Sequence, residues 1–256
     1  MPRTVLVTLH YDGGKFAGWQ RQARGRTVQA ELERVLERLC GHPVRAHAAG
    51  RTDAGVHAVG MGVSAVVPDR WTAGELRRAL NALLPDDCWA EACREMKAGF
   101  HARTCAVSRR YRYVIGTDPG SRSPFRCRYE WALGCGLDGA ALHRAAGMLV
   151  GEHDFTAFSV RSSAREHRRC RILTSRWTER SEHRGFELEL AADRFLHHMV
   201  RMLVGTMVDI ALARRPAADF AALLDRSSAP GTRTSPPAPP EGLFFVEAAY
   251  PPEWDA

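Results

Sequence analysis

Lysine is almost missing from this sequence. Lys15 and Lys97 are the only two, and the rest of its 36 basic residues are arginines. Long apolar runs are missing as well. No stretch reaches the ~18 residues that would announce a membrane-spanning helix. The opening residues, MPRTVLVTLHYDGG, turn polar too early for the apolar core of a secretory signal, so a cytoplasmic protein is expected. The seven cysteines are odd in number and contain no CxxC pair. They therefore suit neither a disulfide framework nor a zinc ribbon, and most are expected as small core side chains. What is present fits a soluble globular chain: 256 residues, 45% hydrophobic and 25% charged. That length suffices for one large or two small domains, each with a core of its own.

Charge narrows the class of partner. The net charge is +7 and the isoelectric point near 9.3. A GC-rich genome accounts for the preference for arginine over lysine. It does not account for the clustering. Arg21, Arg24 and Arg26 share one short segment, and Arg103, Arg109, Arg110 and Arg112 another. Arg161, Arg165, Arg168, Arg169, Arg171 and Arg176 form a third group, opposed only by Glu166. Planar guanidinium forks suit phosphates and stack on bases, so a polyanion such as nucleic acid is the expected partner.

Hydrophobic periodicity divides the chain into two similar successions. Residues 3–10 alternate as a strand, and 28–39 carry Val28, Leu32, Val35, Leu36 and Leu39 on one helical face, with Thr27 as N-cap and Gly41 beyond the end. Strands are expected at 44–49 and 57–67. A capping box, Thr72 with Glu75, opens a helix reaching about Leu84, and 88–95 is a further strand. The order β-α-β-β-α-β is the split βαβ arrangement. It returns in the second half, with strands at 107–116, 169–179, 185–192 and 243–249 and helices at 139–150, 195–213 and 217–225. The expected fold class is α+β, two ferredoxin-like halves joined into one long, mainly antiparallel sheet flanked by helices. The expected division is residues 1–104 and 105–256. Residues 227–241, rich in Pro and Ser, read as a loop.

GRTDAG, residues 50–55, lies between two expected strands. Gly50 and Gly55 allow the tight, positive-φ backbone that presents Asp53 at a loop tip. Taken alone, such a segment is an ordinary turn. Other segments give it context: YDGGKFAGWQRQ (11–22), AGRTDAGVHA (49–58), NALLPDD (81–87), FHAR (100–103), SRRYRYVI (108–115), GEHDFTAF (151–158), FLHHMVRMLVG (195–205) and PPEGLFFV (239–246). In this order they resemble the bacterial tRNA pseudouridine synthase A family over residues 4–250. The resemblance implies an isomerase that converts uridine to pseudouridine on the 3′ side of the tRNA anticodon stem-loop. It also implies a homodimer and no cofactor or metal.

Carried over by position, the resemblance makes Asp53 the catalytic carboxylate, Arg201 the active-site arginine paired with it, and Tyr111 the substrate-binding tyrosine. Arg51 corresponds to the arginine that takes the place of the flipped base. The reaction breaks an N1–C1′ bond and forms a C5–C1′ bond, work for which a carboxylate suits as nucleophile or base. Tyr111 and Tyr113 share one strand face, with Arg110 and Arg112 on the other; Tyr113 reads as core. Arg21, Gln22, Arg24, Arg109, Arg110 and His197 are candidates for substrate contact, while Phe16 and Trp19 read as core. Adjacent helix positions such as His197 and His198 face different ways, so they do not suggest a metal pair.

Asp193 stands where the family usually has Asn. It can cap the following helix but adds negative charge near Arg201. A silent RNA-binding protein is the second reading, disfavoured because binding alone has no need of the carboxylate. A phosphoryl-transfer enzyme is the third, disfavoured because Ala54 and Gly55, not a further acid, follow Asp53.

Overall fold

Alternating apolar residues build β1 (Arg3–Tyr11), which buries Val5, Val7, Leu9 and Tyr11 on one face. In α1 (Val28–Cys40) the apolar residues recur every three or four positions, and Val28, Leu32, Val35 and Leu36 are fully buried. Burying each such side chain is worth about 1.5–3 kcal/mol before entropy is counted. The Thr27 side chain accepts the Ala30 N–H, and Gly41 closes the helix at φ 81°. Next come β2 (His47–Ala48), β3 (His57–Val67), α2 (Ala73–Asn81) and β4 (Cys88–Met96). Both halves of the capping box between Thr72 and Glu75 form at the start of α2. Strand β1 runs antiparallel to β3 and β4, and β2 pairs antiparallel with β3. This β4-β1-β3-β2 order is that of a split βαβ unit.

The computed structural model describes residues 1–160, 168–225 and 233–256, and these fall into two units. The first is Met1–Arg109 with Phe244–Ala256; the second is Arg110–Leu243. Leading into the second unit is β5 (Ser108–Gly116), followed by β6 (Trp131–Ala132), α3 (Gly139–Gly147), β7 (Gly151–Asp154), β8 (Arg169–Glu179) and β9 (Gly185–Ala192). Two helices follow, α4 (Met199–Ala211) and α5 (Ala218–Leu224). The sheet order is β5-β9-β8-β7, with β8 antiparallel to both of its neighbours. Helix α3 lies against α4 and β8. Trp177, Phe155, Phe158 and Phe220 are buried here, and the Trp177 indole N–H donates to Met207 Sδ at 3.5 Å. Both units are α+β, with mostly antiparallel sheets backed by helices.

The chain ends in the first unit. In β10 (Leu243–Ala249), Phe244 and Phe245 pair in parallel with His57 and Ala58 of β3. Tyr250 and Trp254 then join a cluster of Leu6, Met96, Phe100 and Ala102, while Lys97 N–H donates to the Trp254 carbonyl at 3.0 Å. The division expected at 104 and 105 left this tail in the second half; its apolar contacts hold it to the first.

Several helix ends differ from expectation, and the strand expected at 44–49 forms only as His47–Ala48. α2 stops at Asn81 and α3 at Gly147, because the residues up to Leu84 and Leu149 form only closing turns. α4 begins at Met199 rather than 195, because His198 adopts a left-handed φ of 64° that no helix interior admits. Cysteines are fewer in the core than expected: Cys40, Cys88 and Cys170 are buried, Cys93, Cys105 and Cys127 half-buried, and Cys135 exposed. Of the expected 227–241 loop, residues 233–241 are described, with Pro240 and Glu241 opening a short 3-10 turn (Pro240–Gly242), and 227–232 lie outside the described residues. Arg161, Arg165 and Glu166 lie outside them too.

Candidate active site

The loop bearing Asp53 is held from below by the segment after β1. Trp19 N–H donates to the Thr52 carbonyl at 3.0 Å, Gly55 N–H to the Phe16 carbonyl at 3.3 Å, and Val56 N–H to the Asp53 carbonyl at 3.2 Å. Two backbones approach too closely for any side chain between them. A Cβ on Gly13 would stand 2.0 Å from the Val56 carbonyl oxygen, and one on Gly18 would stand 2.7 Å from that of Thr52. Gly18 also has φ +98°. Gly55 takes φ +80° as expected, whereas Gly50 is not among the positive-φ glycines, so the turn needs only the one.

Side chains complete the support. Tyr11 OH and Thr52 Oγ1 lie 2.8 Å apart in a buried hydrogen bond. Buried His57 stacks on Phe244 at 4.8 Å, with its Nδ1 3.1 Å from Gly13 N and 3.2 Å from Asp12 Oδ1. Thr52 is buried, Asp53 half-buried, and Arg51 and Ala54 exposed. Buried Thr52 and exposed Ala54 thus bracket the half-buried Asp53 in a hydrogen-bonded loop. Neither Tyr11 nor His57 was singled out in the sequence. The period of two in β1 marks the face of Tyr11 but not its partner.

Phe16 and Trp19 are buried, as expected. Arg21, Gln22 and Arg24 are exposed beside them. Arg21 is nevertheless anchored, because its guanidinium lies 3.3 Å from the carboxylate of buried Glu33. Gln22 Nε2 donates to the Ala17 carbonyl at 2.8 Å. Arg26 is structural: it grips Asp87 with two bonds of 2.6 and 2.8 Å, reaches Glu31 at 3.0 Å, and lies 4.2 Å above the Phe16 ring. Arg109 also works as a tie. Its Nε donates to the Ala49 carbonyl at 3.2 Å and its other nitrogens to the carbonyls of Ala106 and Arg103. It thereby fixes the residue just before the Asp53 loop.

In the second unit, Tyr111 is buried on β5, edge-on to Phe195 with ring centres 5.0 Å apart. Arg110 and Arg176 both pair with Glu189, each at 3.1 Å, and hold its carboxyl below the usual range. Tyr113 is fully buried and donates to the Pro239 carbonyl at 2.8 Å; burial pushes its phenol well up. Arg201, in the first turn of α4, is tied to the chain at 238. Its Nε donates to the Ala238 carbonyl at 2.7 Å, and its own carbonyl accepts the Ala238 N–H at 2.9 Å.

Asp193 does not cap α4. It exchanges bonds with Arg171 instead: its Oδ1 accepts the Arg171 N–H at 2.9 Å, and its own N–H donates to the Arg171 carbonyl at 3.1 Å. His197 and His198 lie before the helix rather than on it, with ring centres 4.1 Å apart; His197 is exposed.

A family model described as tRNA pseudouridine synthase matches residues 8–103 and 145–251. The tRNA pseudouridine synthase A of Solidesulfovibrio magneticus is 42% identical over 258 residues, spanning 96% of this chain and 90% of that protein. That of Methylobacterium nodulans is 41% identical over 256 residues, spanning 98% and 97%. That of Rhizorhabdus wittichii is 40% identical over 251 residues, spanning 96% of each.

Proposed function

Because the chain belongs to the tRNA pseudouridine synthase family, we propose that it isomerises uridine to pseudouridine in tRNA, on the 3′ side of the anticodon stem-loop. The reaction breaks the N1–C1′ bond, turns the uracil and forms a C5–C1′ bond. A proton leaves C5 and N1 gains one, so atoms balance without a co-reactant, and no cofactor or metal is proposed.

Asp53 is the catalytic carboxylate, acting as nucleophile or base. One observation carries this assignment: the Asp53 loop is clamped by glycine-permitted backbone contacts and the buried Tyr11–Thr52 bond, yet leaves its carboxylate partly exposed. A carboxylate held rigidly in reach of a ligand loses little freedom when the reaction begins. Tyr111 offers an aromatic face for the uracil and a hydroxyl for proton movement. Arg201 is the second charged group assigned to the chemistry, with a guanidinium suited to holding an anion. Arg51 fills the place of the extruded base, while Arg21, Gln22, Arg24, Arg110 and His197 contact the RNA. The working form is a cytoplasmic homodimer, a state that sedimentation of the purified protein checks.

The test is conversion of uridine in an unmodified tRNA transcript, followed in wild type and Asp53→Asn. Wild type is expected to form pseudouridine without added metal or nucleotide. The variant is expected to bind the transcript and form none. Product from Asp53→Asn at the wild-type rate would remove Asp53 from the chemistry. Binding is expected to weaken linearly in log affinity as log salt rises, through release of counterions from phosphates.

A further inference from the structure

The segment joining β5 to β6, residues 117–130, exposes an aromatic ring more fully than any other part of the described chain. Phe125 is 89% exposed, and Tyr129 close by is 42% exposed. An exposed phenylalanine at a floppy tip would mean little. This one stands on a braced platform.

Arg126 holds Asp118 with two bonds of 2.8 Å and reaches Glu130 at 2.9 Å. Glu130 is 3% exposed and also takes a hydrogen bond from Arg180. The hydroxyl of fully buried Ser121 donates to the Asp118 carbonyl at 2.7 Å. Successive backbone bonds, from Arg126 N–H to the Ser123 carbonyl and from Tyr129 N–H to the Arg126 carbonyl, close the turns between. Both acidic groups of the segment are thus turned inward onto arginines. On the outer side stand Arg122, Phe125, Arg128 and Tyr129, all exposed, with the Arg128 guanidinium 5.8 Å from the Tyr129 ring centre.

We propose that this platform is an RNA-contact surface, on which Phe125 stacks against an unpaired base while Arg122 and Arg128 meet the adjoining phosphates. The inference rests on the proposed action on tRNA. Alternating exposed aromatic and arginine side chains are the chemistry that recognises unpaired nucleotides: rings take base faces, and guanidinium groups take phosphates. Charge argues against a second copy of the chain as the occupant. Two-fold pairing through this surface would set Arg122 and Arg128 against themselves with no outward acid to balance them. Gly116 ends β5 five residues beyond Tyr111, roughly 17 Å at about 3.3 Å per residue. The platform therefore contacts nucleotides other than the one that reacts, and its contribution belongs to binding rather than to the chemical step.

The experiment uses the full-length protein and an unmodified tRNA transcript, with Kd from fluorescence anisotropy and initial rates of pseudouridine formation. Phe125→Ala is expected to raise Kd and KM together by about ten-fold, with kcat within about two-fold of wild type. Phe125→Trp should restore binding. Phe125→Leu, equally apolar but unable to stack, should stay weak. Arg122→Ala should reduce the slope of log Kd against log salt by about 1.

Because Phe125 is exposed, each variant should melt with wild type. Wild-type Kd in Phe125→Ala overturns the inference. So does a change in sedimentation of Phe125→Ala, which would make the platform a contact between copies. Should wild type bind the transcript and form no pseudouridine, the proposed reaction fails while the platform is still judged on Kd. Should wild type not bind at all, both fall.

Discussion

Helices α1 and α4 have 13 residues each and begin near residues assigned to RNA contact or chemistry, Arg24 for one and Arg201 for the other. They are held in opposite ways. α1 has a side-chain cap at Thr27, an acidic first turn at Glu31 and a glycine in the left-handed position after its last turn. α4 has no side-chain cap, begins from His198 at φ 64° and ends with Ala213 at φ 55°. Arg214 N–H reaches the Asp209 carbonyl and Ala213 N–H the Ile210 carbonyl, both at 2.9 Å, which is the closing pattern that favours glycine at position 213. Each left-handed residue without glycine costs about 1 kcal/mol. Burial offsets this, since Leu203, Val204 and Met207 are wholly enclosed. α1 could be placed by its neighbours in sequence; α4 is placed by what packs on it.

The strongest way to break this comparison is at Gly205 of α4. A Cβ there would lie 2.1 Å from the Pro236 carbonyl oxygen, so the helix or the 233–239 segment must move. Gly205→Ala is expected to cost about 3 kcal/mol in urea denaturation and to lower activity by displacing Arg201 from Ala238. Ala30→Gly in α1 should cost only about 1 kcal/mol. Equal costs would show that α4 depends on packing no more than α1 does.

Caps give a smaller contrast. Thr27→Ala is expected to lose about 1 kcal/mol, while His198→Gly should lose less, because no cap bond is removed and a strained φ is relieved. Thermal melts of the two variants check the difference. The helix ends should respond with opposite signs: Gly41→Ala destabilises by about 1 kcal/mol, and Ala213→Gly stabilises by about 0.5–1 kcal/mol. A shared sign would dissolve the distinction.

The smallest expected effect is one of acid. Hydrogen bonding from Arg126 holds the Asp118 carboxyl down at about 2. A depressed carboxyl stabilises the fold at pH above its unfolded value near 4 and loses that contribution as pH falls toward about 2. Acid unfolding of Asp118→Asn should lack this component, and curves that superimpose on wild type would refute it.

Legibility in the sequence followed the same line. β3, β8, β9 and β10 and the start of α1 could be read from period and caps, because those signals act over a few residues. The first turn of α4 could not. Phe195 to His198 continue the apolar pattern of the helix, and nothing local announces that His198 turns left-handed. Asp193 was read as a cap because an acid before a helix usually is one; its real partner, Arg171, comes from the neighbouring strand β8. Asp53, Tyr111 and Arg201 are candidates for the chemistry through resemblance alone. The bond between Tyr11 and Thr52 crosses 41 positions, and the carbonyls held by Arg109 lie up to 60 away, distances over which no periodic pattern speaks.

The return of residues 244–256 to the first unit has a consequence for biosynthesis. Phe244, Phe245, Tyr250 and Trp254 are made after the whole of the second unit, yet they complete the sheet and apolar cluster of the first. During synthesis the His57–Ala58 end of β3 waits unpaired on the side that β10 will take, and His57 lacks its stacking partner, while the inserted residues emerge at roughly 5–20 per second. The Asp53 loop, which adjoins β3, therefore reaches its final support only when the late strand arrives. A growing chain would carry the carboxylate long before it had the finished site.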